Sequence, residues 1–291
     1  MRKLLLTLAA LAVIAAAAGW ILSAPRPLGE DAVAGLTGDP EHGAMVFWAG
    51  GCAACHAAPG AEGEARLVLA GGYRMESPFG TFVAPNISPA PEGIAGWSTL
   101  DLANALKRGV SPGGAHYYPA LPYGTYTRMT MQDVADLKAF MDTLPPSDVA
   151  SQPHDLTFPF TIRRSLGLWK LLFLNDDWIR PADTPELERG RYLAEALGHC
   201  AECHTPRNAL GALDTTRWMQ GAPNPSGKGT IPAINAANLA WTAQDIVYYL
   251  ETGFTPDYDS AGGEMAQVVK NIANLPPEDR AAIAAYIKAV P

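Results

Sequence analysis

Cys52-Ala53-Ala54-Cys55-His56 and Cys200-Ala201-Glu202-Cys203-His204 hold all four cysteines of this 291-residue chain, and a histidine follows each pair of thiols at once. A Cys-x-x-Cys-His run attaches a c-type haem: the thiols form thioethers with the porphyrin vinyl groups, and the next residue faces the iron. One such run could serve as a redox dithiol, but two complete copies with no cysteine left over point to two covalently bound haem c groups. A zinc ribbon also uses two Cys-x-x-Cys pairs, about 15 to 20 residues apart. Here the second pair begins 148 residues after the first. A chain of this length has no need of disulfide staples.

Outward from the two motifs the sequence repeats itself. A short helical pattern with a glycine precedes each: Glu41-His42-Gly43 running to Phe47, and Glu188-Arg189-Gly190 running to Leu193. Further on stand Trp97-Ser98-Thr99-Leu100-Asp101 and Trp241-Thr242-Ala243-Gln244-Asp245, which read as capped helix starts, closing at Gly109 and Gly253. The tryptophans and the closing glycines are each 144 residues apart. Each half ends on an amphipathic helix, with Val134, Leu137, Phe140 and Leu144 on one apolar stripe and Ile283, Tyr286, Ile287 and Val290 on the other. Thr130 with Asp133 caps the first, and Pro276 and Pro277 fit the opening turn of the second. The expected domains are 38–146 and 185–291, joined by a connector over 147–184. Ile162 to Leu174 in that connector is too apolar for a free linker.

Arg2 and Lys3 precede an apolar run from Leu4 to Leu22, expected to be a signal peptide or membrane anchor over residues 1–24. Basic residues ahead of the run place the body outside the cytoplasm: on the periplasmic side of the inner membrane, either anchored there or soluble after cleavage. A content of 48% hydrophobic residues suffices for cores, while 28 Gly and 25 Pro predict long irregular connections. A net charge of −8 argues against nucleic acid as partner.

His56 and His204 each leave a sixth iron position, whose occupant sets the chemistry; methionine suits electron transfer. Met75, Met129, Met131 and Met141 are candidates in the first half, with Met129 preferred because its Pro- and Tyr-rich loop can reach back over the haem and Met131 as close rival. In the second half Met265, after Gly262-Gly263, is preferred to Met219. His116 is a weaker alternative for the first iron, since most such histidines are structural.

Several runs resemble the cytochrome c subunits of membrane-bound bacterial alcohol dehydrogenases: Pro85-Asn86-Ile87-Ser88, His116-Tyr117-Tyr118-Pro119-Ala120-Leu121-Pro122-Tyr123, Arg128-Met129-Thr130, Cys203-His204-Thr205-Pro206-Arg207-Asn208 and Gly262-Gly263-Glu264-Met265. The resemblance covers about residues 40 to 291 and implies Met129 and Met265 as axial ligands. Members of that family commonly carry three haems; with two motifs the chain is also similar to thiosulfate dehydrogenase-like dihaem cytochromes. The fold expected is all-α and loop-rich: two tandem class I cytochrome c domains behind an N-terminal transmembrane or signal helix. The function expected is a respiratory-chain relay that takes electrons from a periplasmic dehydrogenase and passes them to a cytochrome or terminal oxidase. The alternative is an oxidoreductase acting on a small sulfur anion such as thiosulfate, or a peroxidase. The relay needs no catalytic acid, base or nucleophile.

Overall fold

The computed structural model describes residues 1–225, 227 and 229–291. Helix α1 (Arg2–Leu22) stands apart, with none of its residues buried. The first half then contributes α2 (Pro40–Ala49), α3 (Cys52–His56), α4 (Thr99–Ala103), α5 (Tyr123–Tyr126) and α6 (Met131–Met141). The connector carries α7 (Ser165–Phe173). The second half supplies α8 (Pro185–Tyr192), α9 (Cys200–His204), α10 (Ala243–Thr252), α11 (Gly263–Ile272) and α12 (Pro277–Ala289).

Local chemistry fixes where these helices start. The Asp39 side chain accepts from the backbone amides of Glu41 and His42, and the Thr184 hydroxyl from that of Leu187, with Pro40 and Pro185 in the opening turns. Ser98 with Asp101 and Thr242 with Asp245 form reciprocal capping boxes on α4 and α10. Gly109 and Gly253 close those two helical stretches in the left-handed conformation.

In each half the first helix crosses the last at a glycine. A Cβ on Gly43 in α2 would lie 2.0 Å from the Asp136 carbonyl oxygen of α6, and one on Gly190 in α8 would lie 2.0 Å from the Ala282 carbonyl oxygen of α12. The backbones therefore touch directly, and any side chain forces them apart. We expect Gly43→Ala to destabilise the protein by about 1–3 kcal/mol, the usual scale of overpacking, read as a lowered midpoint in denaturant unfolding. The apolar core runs unbroken between the halves, from Val46, Phe47, Leu137 and Met141 to Leu193, Leu197, Ile283 and Ile287.

The all-α expectation needs one correction. Arg74–Ser77 (β1) and Gly80–Val83 (β2) form an antiparallel hairpin, and Asp155–Leu156 (β3) of the connector adds to its edge. Thr81, Phe82 and Val83 favour extended backbone, and Phe82 and Val83 are buried. The strands are only two to four residues long, too short for an alternating pattern to show in sequence. A second two-stranded pair joins Ala222–Pro223 (β4) to Thr230–Ile231 (β5).

The connector helix is tied down by a charge. Lys170 is buried, and its ammonium donates to the carbonyls of Arg108 and Gly109 at 2.8 and 2.6 Å while lying 4.6 Å from the Tyr123 ring centre. The end of α1 is tied down as well. Ser23, only 3% exposed, accepts at its carbonyl from His116 Nε2 at 2.9 Å and at its hydroxyl from Arg164 Nε at 2.9 Å. Arg164 also donates to the Trp20 carbonyl and stacks 4.3 Å from its ring centre.

Candidate haem sites

Both motifs fold into one helical turn, entered through a left-handed residue: Gly51 at φ 69° before α3 and His199 at φ 40° before α9. Positions i, i+3 and i+4 share one face of a helix. Each turn therefore gathers its two thiols and its imidazole on the same side. After the histidine the chain goes extended, at Ala57 and at Thr205.

Each imidazole is oriented by a proline carbonyl. His56 Nδ1 donates to the Pro85 oxygen at 2.8 Å and His204 Nδ1 to the Pro232 oxygen at 2.7 Å. With Nδ1 carrying the proton, Nε2 keeps its lone pair. Burial also lowers the pKa of both rings, which favours the neutral form a metal needs. Backbone bonds lock the same turns: Gly71 donates to the His56 carbonyl at 2.7 Å and Gly221 to that of His204 at 2.8 Å. The proline carbonyls were not legible as functional groups; the proline and asparagine turns after each motif were the only signal.

The thiols complete a donor set that fits haem c. Burial pushes Cys52 up to about 12, Cys55 and Cys200 to about 11, and Cys203 upward. A reactive dithiol needs the opposite shift, so a disulfide-exchange role does not fit.

The two motifs pack against one another. Cys55 and Cys203 lie close enough for their charges to interact, and Glu264 acts on both. A Cβ on Gly51 would stand 3.2 Å from His199 Nε2, and the His199 ring meets Tyr126 edge-on at 5.9 Å. Contacts cross between halves in both directions. Thr125 of α5 donates to Glu202 Oε1 at 3.2 Å, and Tyr73 of the first half donates to Glu264 Oε1 of α11 at 2.5 Å.

The duplication assigns Met219 a counterpart. Ile87 donates its amide to the Leu69 carbonyl, and Ile234 donates to that of Met219. Leu69 and Met219 are both wholly buried, so Met219 is a core residue. Val110 bridges His116 and Phe254 bridges Ser260, and the amides of Tyr117 and Ala261 return to Gly109 and Gly253. Beyond that point the halves diverge: Leu121 lies two residues before α5, whereas Met265 is the third residue of α11. Both are partly buried side chains against the core, as are Ile87 and Trp97 in one half and Ile234 and Trp241 in the other.

Met129 has a different counterpart. It immediately precedes the N-cap of α6, donates its amide to the Tyr126 carbonyl and is 3% exposed; Leu275 immediately precedes the N-cap of α12, donates to the Ile272 carbonyl and is also 3% exposed. Met141 is buried on α6, Met131 opens that helix and Met75 lies on β1. Both ring nitrogens of His116 are engaged away from the motif, Nε2 by Ser23 and Nδ1 by Lys170.

The chain matches the cytochrome c family over residues 40–145 and again over 187–291. It is 60% identical to a "Diheme cytochrome c-type" protein of Cereibacter sphaeroides, over 100% of this chain and 99% of that one. It is 38% identical to the fructose dehydrogenase cytochrome subunit of Gluconobacter japonicus, over 82% of this chain and 50% of that one. With the cytochrome c subunit of the alcohol dehydrogenase (quinone) of Gluconobacter oxydans it shares 32% identity, over 82% of this chain and 52% of that one. The chain thus spans about half the length of these two dehydrogenase subunits.

Proposed function

Because this chain belongs to the cytochrome c family and carries a haem-binding domain in each half, we propose that it relays electrons outside the cytoplasm, from a dehydrogenase to a cytochrome or terminal oxidase. The observation that carries this reading is the packing of one motif on the other. His199, at the entry to the second motif, lies against Gly51 at the entry to the first and meets Tyr126 edge-on, which brings the two haem-bearing turns together. When bound, each haem supplies one-electron chemistry, and the protein sets its potential and holds it in place.

The residues divide that work. Cys52, Cys55, Cys200 and Cys203 form the thioethers. His56 and His204 present Nε2 to iron, steered by Pro85 and Pro232. Met129 gives the first iron its sulfur and Met265 the second. Ile87 and Trp97, with Ile234 and Trp241, are partly buried against the core and would pack on the haems and exclude water, which keeps reorganisation small and potentials high. Each half then follows the class I cytochrome c plan.

The reading extends to location. Helix α1 has 21 residues and no buried side chain, long enough at ~1.5 Å per residue to cross the ~30 Å hydrocarbon core. Ser23 sits in the fold with its polar atoms satisfied by His116 and Arg164, so removing α1 at Ala24 would strip partners from both. Leu168, Leu171 and Leu172 of α7 expose apolar side chains next to this junction, the side that faces the bilayer in an anchored protein. We expect the mature protein to keep its first 24 residues and to stay with membranes through an alkaline carbonate wash. A mature chain starting near Arg26 in the soluble fraction would exclude anchoring.

Mixing the dithionite-reduced protein, freed of excess reductant, with a soluble ferric cytochrome c in a stopped-flow instrument tests the relay. The expected result is transfer of two electrons per chain. Steady turnover of thiosulfate or hydrogen peroxide by the purified protein, with no transfer to the acceptor, would instead favour the enzyme reading.

A further inference from the structure

We propose that the end of α10 and the hairpin after it, Tyr248 to Ser260, form the docking surface for the electron acceptor, and that this acceptor is a small soluble redox protein presenting lysines and arginines. The proposal rests on the relay reading and adds to it the exit face and the chemistry of the partner that meets it.

The two halves build the same hairpin. Val110 bridges His116 as Phe254 bridges Ser260. The Ser111 amide donates to the Ala115 carbonyl at 2.9 Å as that of Thr255 does to Asp259 at 2.8 Å, and the Gly114 amide donates to the Ser111 carbonyl as that of Tyr258 does to Thr255. Corresponding residues are 144 apart throughout. Their side chains differ: Pro112-Gly113-Gly114-Ala115 at the first tip becomes Pro256-Asp257-Tyr258-Asp259 at the second.

In the first half the chain covers this face itself. Lys170 of α7 donates to the carbonyls of Arg108 and Gly109, the Ser23 carbonyl holds His116, and Arg163 donates to the His116 carbonyl at 3.2 Å. Asn104 and Val110 are buried beneath these contacts. In the second half the same face is open. Phe254, the counterpart of Val110, is 50% exposed, and Tyr248, the counterpart of Asn104, is exposed as well. Tyr258 at the tip is 95% exposed and holds φ at 65°, where Gly114 holds 77°. A left-handed backbone suits glycine and strains any residue with a Cβ. Three large rings left in solvent, one of them on a strained backbone, mark a surface that meets another protein.

Charge identifies that protein. From Trp241 to Ala261 the chain carries Asp245, Glu251, Asp257 and Asp259 and no Lys, Arg or His, whereas the matching stretch from Trp97 to Tyr117 sets Asp101 against Lys107, Arg108 and His116. Asp245 is taken up by the cap of α10, and Glu251 lies 3.4 Å from Arg280. Asp257 and Asp259 flank Tyr258 on the exposed tip. Carboxylates beside aromatic rings attract lysines and arginines both by charge and through the ring face. The same acids repel a second copy of this chain, whose net charge is −8. Met265 lies five residues beyond Ser260, which places the surface in the half that holds the second haem.

The test uses the full-length, haem-loaded protein and a lysine-rich soluble cytochrome c. The zinc-substituted form of that partner binds but accepts no electron, so quenching of its porphyrin fluorescence reports docking alone, while its ferric form reports transfer in the stopped-flow instrument. Association should weaken as salt rises. At low salt, Asp257→Asn with Asp259→Asn, and separately Tyr258→Gly, should each lower the association constant roughly threefold to tenfold, with the transfer rate falling in step. Tyr258→Gly should keep the wild-type unfolding midpoint, because glycine accepts that backbone. Glu92→Gln with Asp148→Asn, exposed acids of the first half and the connector, changes the net charge equally and should leave both readings near wild type. Equal weakening by this control pair would mean that net charge alone attracts the partner and would overturn the proposal. Wild-type docking by Tyr258→Gly, or docking indifferent to salt, would overturn it too. Intact docking without transfer would overturn the relay reading and leave the surface standing.

Discussion

Replacing Cys200 and Cys203 together by alanine should halve the covalent haem of the protein. Each porphyrin is tethered by its own pair of thiols on its own helical turn, and the duplication leaves the thiols of the first half untouched. Iron per polypeptide is expected to fall from two to one, with the Soret absorbance falling in proportion and the mass dropping by one porphyrin. The variant should also be less stable than the loss of two small side chains explains. Removing the porphyrin would take apolar contact from the second half, whose Ile234, Leu239, Trp241 and Met265 are only partly buried without it, and cavities in a core cost stability in proportion to their volume. Retention of both haems would mean that the second motif does not attach one.

Met265→Leu should separate the two haems by potential. A thioether favours ferrous iron, so its removal lowers the reduction potential of the second haem. A shift on the order of 0.1 V is reasonable within the ~0.8 V that axial ligands command. Potentiometric titration should show one wave moved downward and the other fixed. Leucine nearly preserves the volume of methionine, which keeps packing loss to less than about 1.5 kcal/mol. Two waves unchanged from wild type would remove Met265 from the coordination sphere.

The haem motifs were legible because covalent attachment demands a fixed local spacing, and no folding context is needed to read it. The capped helices at Ser98 and Thr242 were legible for the same reason, since a cap and its acid sit three residues apart. What escaped the sequence depends on contacts between distant segments. The carbonyls of Pro85 and Pro232 become functional only when their turns come back to the histidines some 28 or 29 residues earlier. Strand β3 exists only because the connector meets the edge of β2.

Tyr126 donates to the Gly50 carbonyl at 2.6 Å, a contact between segments 76 residues apart that no local pattern announces. The junction of α1 with the body was likewise invisible, because Ser23 and Arg164 are 141 residues apart.

Exchange of an electron between the two haems of one molecule tests the account most directly. Pulse radiolysis of the oxidised protein can deliver one electron per chain at random to either haem, and absorbance then follows its redistribution. The packing of Gly51 against His199 and of Thr125 on Glu202 predicts a first-order relaxation whose rate is independent of protein concentration. A rate that rises in proportion to concentration would mean that electrons pass only between molecules, and would contradict a relay within the chain.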